Sequence, residues 1–187
     1  MKLPNIITLV RLALAPVFVF FFTQNTGWGY AGALALAITF EFTDVLDGYL
    51  ARRTGQVSDF GKFIDPLADS VSRFTIFLCF VFLYPSLIWA VAILFWRDSL
   101  VATLRIMGAT KGVIISARLS GKVKASIQGT AAISTLCFLT WPNLVGMGQE
   151  NIETYAKIVM AITAAYTLFS LVDYLYGNRK IIASLDR

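Results

Sequence analysis

The sequence predicts an all-α, polytopic membrane protein with six transmembrane helices and a short amphipathic N-terminal segment, organised as one membrane domain over residues 1–187. Two observations carry this prediction. Of the 187 residues, 57% are hydrophobic and only 14% are charged, which is unusual for a soluble protein. Apolar runs long enough to cross a bilayer also recur along most of the chain. We therefore expect one compact helical bundle.

The predicted spans are joined by short polar connections. The amphipathic start, residues 1–11, leads into a first span that ends near Thr23. The other five spans cover approximately residues 30–49, 60–84, 87–107, 125–141 and 155–176. With both termini in the cytoplasm, nearly all Lys and Arg residues fall on the inner side, as cytoplasmic loops require, and Lys157 is the one clear exception. The net charge of +5 is therefore attributed to these loops, and no nucleic-acid partner is expected.

Residues 44–69 hold four aspartates in two closely spaced pairs. Residues three or four apart share one face of a helix, and a polar turn over residues 52–56 is expected to bring the two pairs face to face. Four carboxylates at such range need a cation if all are to stay ionised. Oxygen ligands without His or Cys suit Mg²⁺ or Mn²⁺. The residues alone thus predict a divalent-metal site formed by Asp44, Asp47, Asp65 and Asp69.

Small residues lie beside these acids. Gly48 and Ala51 leave a strip without bulky side chains, where a flat or phosphorylated ligand can approach the backbone closely. The alternative is that they let two membrane helices pack while the carboxylates pair with Arg52 and Arg53. Both interpretations stay open for Gly48 and Ala51. For four acids at membrane depth the packing interpretation is weaker, because buried ionisable groups in a membrane are costly and usually functional.

The same stretch matches the pattern D-x2-D-G-x2-A-R-x8-G-x3-D-x3-D at every fixed position. This pattern resembles the signature of the CDP-alcohol phosphotransferases, integral membrane enzymes of phospholipid synthesis. The matching residues are Asp44, Asp47, Gly48, Ala51, Arg52, Gly61, Asp65 and Asp69.

The resemblance implies a transfer from a CDP-activated lipid to an alcohol, with release of CMP. It implies that the four aspartates bind two ions of Mg²⁺ or Mn²⁺ and that Asp69 is also the general base. It assigns CDP binding to Asp44, Gly48, Ala51, Arg52 and Gly61. It further implies a bacterial inner (cytoplasmic) membrane location with the site facing the cytoplasm, and a homodimer formed through the third and fourth spans.

Three segments resemble bacterial phosphatidylglycerophosphate synthases and favour sn-glycerol 3-phosphate as the acceptor, with CDP-diacylglycerol as the donor. They are the N-x2-T-x2-R pattern at Asn5, Thr8 and Arg11, the DPLAD wording around Asp65, and the GKxK segment at residues 121–124. For the N-terminal pattern, a membrane anchor with one interfacial arginine is an equal alternative. The acceptor phosphate is then expected to be bound by basic side chains, since Arg can hold a phosphate through two hydrogen bonds. The candidates are Arg73, Arg105, Arg118, Lys122 and Lys124.

Two departures leave the acceptor open. Ser70 follows Asp69 where those synthases often have Lys, and Asp98 follows Arg97 where they often have Glu. Inositol phosphate is the closest competitor, because the same basic pocket would hold its phosphate. A more distant alternative is an ion-coupled membrane transporter that uses intramembrane acids as an ion path, but that role does not require glycines at these spacings.

Other polar or sulfur-containing residues fall inside the predicted spans. Arg97 and Asp98 are deep enough to be costly, so we expect them to be paired or functional. Asp173 is expected to pair locally. Cys79 and Cys137 lie in apolar segments and are interpreted as small core residues that form no disulfide.

Overall fold

In the computed structural model, the described residues are 3–54, 59–113, 115–116, 118–142, 146 and 148–184. Within these ranges the side chains of residues 3–5, 45, 47–54, 59–66, 180 and 184 lie outside the description.

The described residues form an all-helical structure. Six long helices are followed by one short helix, and a 3₁₀ turn at Pro85–Leu87 joins the third helix to the fourth. In chain order they are α1 (Leu3–Thr23), α2 (Gly27–Thr54), α3 (Asp59–Leu83), α4 (Ile88–Thr110), α5 (Leu119–Thr140), α6 (Gln149–Gly177) and α7 (Arg179–Ser184). The all-α prediction is confirmed.

The long helices pack as two groups of three. Helix α1 lies against both α2 and α3, and α6 lies against both α4 and α5. Contacts of α2 with α5 and of α3 with α4 join the two groups. As a result, polar side chains on α1, α2, α3 and α5 can meet inside one bundle.

Aromatic packing fills the bundle where α1 ends and α2 begins. Phe22 lies edge-on to Tyr30 with ring centroids 5.3 Å apart, and it also packs against Phe18 and Phe80. All four rings are buried. Buried aromatic side chains contribute large contact areas, so the interior of the bundle is apolar at this end.

Among the described residues, three helical segments are long and apolar enough to cross a membrane by length and composition. They are the segments Ile6–Thr23, Pro85–Thr110 and Gln149–Gly177. Large apolar side chains remain exposed along them, including Phe20, Trp96 and Phe169. A soluble protein would bury many of these, whereas lipid tolerates them. The chain is therefore an integral membrane protein.

Several predicted boundaries were wrong. The polar turn expected at residues 52–56 begins later, because α2 continues through Thr54, and residues 55–58 are outside the described part. The N-terminal segment is continuous with the first span, since α1 begins at Leu3. Helix α5 begins at Leu119, several residues before the predicted 125. In each case polar residues extend a helix beyond its apolar part, which hydropathy alone does not detect.

Candidate functional site

Arg11 of α1 lies at the centre of the first polar cluster. Its Nε donates a hydrogen bond to Thr43 Oγ1 at 3.2 Å, and its Nη1 donates one to Asp69 Oδ1. The same nitrogen lies 3.6 Å from Asp44 Oδ1. The Arg11 side chain is only 3% exposed. One buried cation thus joins the carboxylates of α2 and α3 that the sequence predicted to face each other.

Arg73 of α3 occupies the other side of Asp44. Its Nε donates to Glu41 Oε1 at 3.2 Å and its Nη2 to Glu41 Oε2 at 3.4 Å. The same Nη2 lies 3.7 Å from Asp44 Oδ2, which is an ion pair beyond hydrogen-bond distance. Glu41 and Asp44 are three residues apart on α2, so they share a face.

Glu41 also packs against α5. A Cβ added to Gly129 would lie 2.9 Å from the carboxyl carbon and from Oε2 of Glu41. A larger residue at this point would require the carboxylate to move. Glu41 was not singled out from the sequence, because a lone acid one turn before the motif has no distinguishing pattern.

Much of the predicted metal and CDP site lies outside the described side chains. Of the four aspartates, Asp44 and Asp69 are described, and both contact Arg11. The remaining predicted residues of this site are Asp47, Gly48, Ala51, Arg52, Gly61 and Asp65, whose side chains are outside the description. Within the described part, His, Cys, Asp and Glu side chains form no group of three or more that could hold a metal.

A second polar cluster joins α4, α5 and α6. Lys124 Nζ donates to both carboxylate oxygens of Asp98, at 2.7 and 2.8 Å. Arg97 donates from Nη1 to Asp98 at 3.1 Å and from Nη2 to Ser170 Oγ at 2.9 Å. Lys124, Arg97 and Ser170 are all buried. The expectation that Arg97 and Asp98 are paired is confirmed.

The connection from α4 to α5 packs onto the C-terminal end of α6. Helix α4 ends in a Schellman motif: Gly112, at φ 70°, donates to the carbonyl of Ala109, and Val113 donates to that of Gly108, as expected for a glycine after a helix. The chain then places Ile115 in a small apolar cluster with Val101 and Tyr174.

Arg118 follows this cluster and is exposed at the start of α5. It donates two hydrogen bonds to Asp173, at 2.7 and 2.8 Å, and Ser120 donates to the same carboxylate at 2.5 Å. The hydrogen bond with Asp173 raises the pKa of Arg118 above its ordinary value. Asp173 therefore pairs across 55 residues of chain, and the expected local pairing was wrong.

The five basic residues predicted to bind the acceptor take different places. Arg73 lies with Glu41 and Asp44, and Lys124 is buried against Asp98. Arg118 lies on Asp173, and the guanidinium of Arg105 lies 5.7 Å from the Tyr174 ring centroid. Lys122 is exposed. Arg105 and Arg118 share the end of α6, but the five do not form one cluster, and their role stays a prediction.

Two cavities adjoin these clusters. One, of about 700 Å³, lies between the start of α5 and the end of α6, with Arg118, Ser120 and Asp173 in its wall. The other, of about 570 Å³, begins at Glu41 and follows one face of α5. Its α5 lining is Ser126, Gly129, Thr130, Ile133, Ser134, Cys137 and Phe138. Both Cys79 and Cys137 are free, as expected.

A helical bundle with membrane-spanning helices and buried acid–base clusters defines an integral membrane protein with a polar site inside the bundle. Residues 1–169 match the family model described as CDP-alcohol phosphatidyltransferase. The chain belongs to the CDP-alcohol phosphatidyltransferase family.

Similar proteins from several bacteria carry related names. A CDP-diacylglycerol–glycerol-3-phosphate 3-phosphatidyltransferase of Bacillus subtilis (strain 168) is 34% identical over 90% of this chain and 94% of its own length. A protein of the same name from Shigella flexneri serotype 5b is 33% identical over 95% of both chains. A probable phosphatidylglycerophosphate synthase of Mycobacterium tuberculosis (strain ATCC 25618 / H37Rv) is 31% identical over 92% of this chain and 79% of its own length.

Proposed function

We propose that this protein transfers the phosphatidyl group of CDP-diacylglycerol to sn-glycerol 3-phosphate, giving phosphatidylglycerophosphate and CMP. The observation that carries the proposal is the meeting of Asp44 and Asp69 at Arg11, because it brings together acids from both halves of the family motif. The names of relatives that align over nearly the whole chain support the acceptor.

The donor set suits a divalent cation. Asp44 and Asp69 offer carboxylate oxygens within reach of one positive centre, the Nη1 of Arg11, and such hard ligands suit Mg²⁺ or Mn²⁺. We assign two ions to these residues together with Asp47 and Asp65. When bound, such ions would neutralise charge on the transferring group and on the departing CMP.

Asp69 is the general base of the proposed reaction. The acceptor hydroxyl oxygen forms a bond to the β-phosphorus of the donor as the bond from that phosphorus to CMP breaks. Asp69 accepts the hydroxyl proton, and CMP leaves with the electron pair of the broken bond. A carboxylate within hydrogen-bond reach of the reacting hydroxyl is suited to this task, and Arg11 orients Asp69 through its hydrogen bond.

The donor's two parts have separate places in this proposal. CMP is assigned to the strip formed by Gly48, Ala51, Arg52 and Gly61 with Asp44. The cavity along α5 begins beside Glu41 and continues past Ile133 to Phe138. Its position next to the acidic cluster and its mainly apolar far end support an acyl chain there.

The acceptor's phosphate is assigned to Arg73, Arg105, Arg118, Lys122 and Lys124. Exposed Lys122 and the two arginines at the end of α6 support an anion-binding surface at the basic end of the bundle. Arg118 donates hydrogen bonds to Asp173, and Lys124 donates to Asp98. To bind the phosphate, both side chains would have to divide their hydrogen bonds between it and these carboxylates.

We also propose six membrane spans with the site facing the cytoplasm of a bacterial inner membrane. Helices α2, α3 and α5 have 28, 25 and 22 residues, long enough to cross a bilayer of about 30 Å at 1.5 Å per residue. Exposed Trp28, Trp89 and Trp141 would lie at the outer interface, where Trp is enriched. A homodimer through α3 and α4 is part of the same proposal.

The test is CMP release by the purified chain with CDP-diacylglycerol, Mg²⁺ or Mn²⁺, and one acceptor at a time. Release with glycerol 3-phosphate but not inositol phosphate supports the proposal. Release only with inositol phosphate would move the assignment to that acceptor. No release under any condition, with ion flux in vesicles, would instead support a transporter.

Asp69→Asn sharpens this test. It should abolish CMP release while binding of CDP-diacylglycerol survives, since the amide keeps the shape but cannot accept the proton. Glu153→Gln is the matched control, because Glu153 pairs with Lys157 at 2.7 Å on an exposed face near the start of α6. It should release CMP at the parent rate.

A further inference from the structure

We infer that Glu41 is a positioning residue that binds Arg73 and so limits how closely Arg73 approaches Asp44, a proposed ligand of a divalent cation. The inference rests on the proposed function, in which Asp44 is a metal ligand. Glu41 is not part of the family motif at residues 44–69.

The geometry shows two carboxylates competing for one nitrogen. Arg73 Nη2 lies 3.4 Å from Glu41 Oε2 and 3.7 Å from Asp44 Oδ2. Arg73 Nε adds a second hydrogen bond to Glu41 at 3.2 Å. A guanidinium held by two parallel hydrogen bonds has a fixed orientation. Glu41 therefore sets the position of the Arg73 guanidinium relative to Asp44.

Glu41 packs against a neighbouring helix as well as against Arg73. Gly129 of α5 lies so close that an added Cβ would be 2.9 Å from its carboxyl group. The carboxyl group of Glu41 therefore packs directly against the backbone of α5 at Gly129. Arg73, for its part, is only 16% exposed, so its charge cannot turn fully into solvent.

Loss of the Glu41 charge should change this balance. With Glu41→Gln, the amide oxygen can still accept a hydrogen bond but no longer offsets the positive charge. Asp44 is then the carboxylate that still forms an ion pair with Arg73 in the described part of the chain. Arg73 would close the gap and compete with a cation for Asp44.

The experiment is a Mn²⁺ titration of the purified full-length chain in detergent, without substrates, followed by the electron paramagnetic resonance signal of free Mn²⁺. We expect Glu41→Gln to raise the Mn²⁺ dissociation constant by about tenfold, as is typical for residues that support metal ligands. Glu41→Gln/Arg73→Gln should restore the dissociation constant to within about twofold of the parent. Arg73→Gln alone should not weaken binding.

The double variant is the deciding control. It removes one negative and one positive charge, so its formal net charge equals that of the parent. If the single and double variants lose Mn²⁺ affinity equally, Glu41 has only a structural role and the inference is overturned. Unchanged affinity in Glu41→Gln also overturns it. Equal elution volumes and Tm values in detergent establish that the variants are folded.

The parent protein separates this inference from the proposed function. Suppose that the parent binds Mn²⁺, that Asp44→Asn does not, and that the parent releases no CMP with glycerol 3-phosphate. The proposed acceptor would then be contradicted, and the positioning role of Glu41 would stand. If the parent does not bind Mn²⁺, the metal role of Asp44 fails and the inference fails with it.

Discussion

Arg11 on α1 donates a hydrogen bond through Nη1 to Oδ1 of Asp69 on α3. The same nitrogen lies 3.6 Å from Oδ1 of Asp44 on α2, so one guanidinium connects three helices. Arg11 is nearly fully buried, whereas Asp44 and Asp69 are 37% and 28% exposed. The carboxylates thus keep access to a ligand, while the cation that joins them is enclosed by the bundle.

Replacing Arg11 by Gln should destabilise the protein by about 2 kcal/mol, because Thr43 and the partly exposed carboxylates of Asp44 and Asp69 lose their contacts with a buried cation. Thermal unfolding in detergent measures the loss. Added Mn²⁺ should narrow the difference from the parent, since a ligand that binds the folded state stabilises it.

Lys157→Gln is the control for Arg11. Lys157 pairs with Glu153 one turn away, and both side chains are substantially exposed, so the change should be within about 0.5 kcal/mol. Equal losses for Arg11→Gln and Lys157→Gln would show that the contacts of Arg11 contribute no more than a surface pair.

Asp98 should tolerate substitution less well than its partner Lys124. Asp98→Asn leaves two buried cations, Arg97 and Lys124, without their shared counter-charge. Lys124→Met leaves Asp98 still bonded to Arg97. We expect a loss of about 3 to 5 kcal/mol for Asp98→Asn and a clearly smaller loss for Lys124→Met, measured by thermal unfolding. The reverse order would mean that Lys124, and not Asp98, organises this cluster.

The sequence predicted the parts of this molecule that follow from periodicity. The spacing of Asp44 and Asp47, and of Asp65 and Asp69, places each pair on one helix face. The structure brings Asp44 of the first pair to Asp69 of the second around Arg11. Arg11 itself was part of an N-terminal pattern, but its contact with both acids depends on how α1 packs, which spacing within one helix cannot show.

Contacts across helices account for what was missed. Glu41 shares a face with Asp44, yet its importance comes from Arg73 of α3 and Gly129 of α5. Lys124 belongs to a segment predicted to bind phosphate, and its burial against Asp98 depends on the packing of both α4 and α5 on α6. Such partners are set by tertiary packing, so one chain's local pattern does not identify them.

The Arg118–Asp173 pair should be insensitive to pH over the usual assay range. The hydrogen bond to Asp173 raises the pKa of Arg118 in the folded protein. The stability that this pair contributes is therefore complete below the ordinary pKa of arginine. It is lost only as the pH rises through the higher pKa of the folded state. The ordinary pKa of arginine already lies well above the usual assay range. The Tm difference between the parent and Arg118→Gln should therefore be constant from about pH 6 to about pH 9.

Arg118→Lys is the companion variant for this pair. A lysine keeps the charge but cannot form two parallel hydrogen bonds with the carboxylate of Asp173. Its Tm should fall between those of the parent and Arg118→Gln. A Tm difference that changes markedly between neutral and mildly alkaline pH would contradict the assignment and point to another titrating group.

Gly129→Ala should separate the stability of α5 from the position of Glu41. The new Cβ would lie 2.9 Å from the Glu41 carboxyl group, which ends a flexible side chain and can move. Alanine stabilises a helix by about 1 kcal/mol relative to glycine. This gain should offset the cost of displacing the Glu41 carboxyl group, so we expect little change in Tm. Displacing Glu41 should nevertheless loosen Arg73 and weaken Mn²⁺ binding, in the same direction as Glu41→Gln.

Gly148→Ala is the matched control, since a Cβ there meets nothing within 4 Å, and it should leave Mn²⁺ binding unchanged. The combination Gly129→Ala/Glu41→Gln decides the mechanism. If Gly129 acts through Glu41, the combined variant binds Mn²⁺ no more weakly than Glu41→Gln alone, because the group that the new methyl displaces has already lost its charge. Additive losses would show instead that Gly129 affects the acidic cluster by a route independent of Glu41.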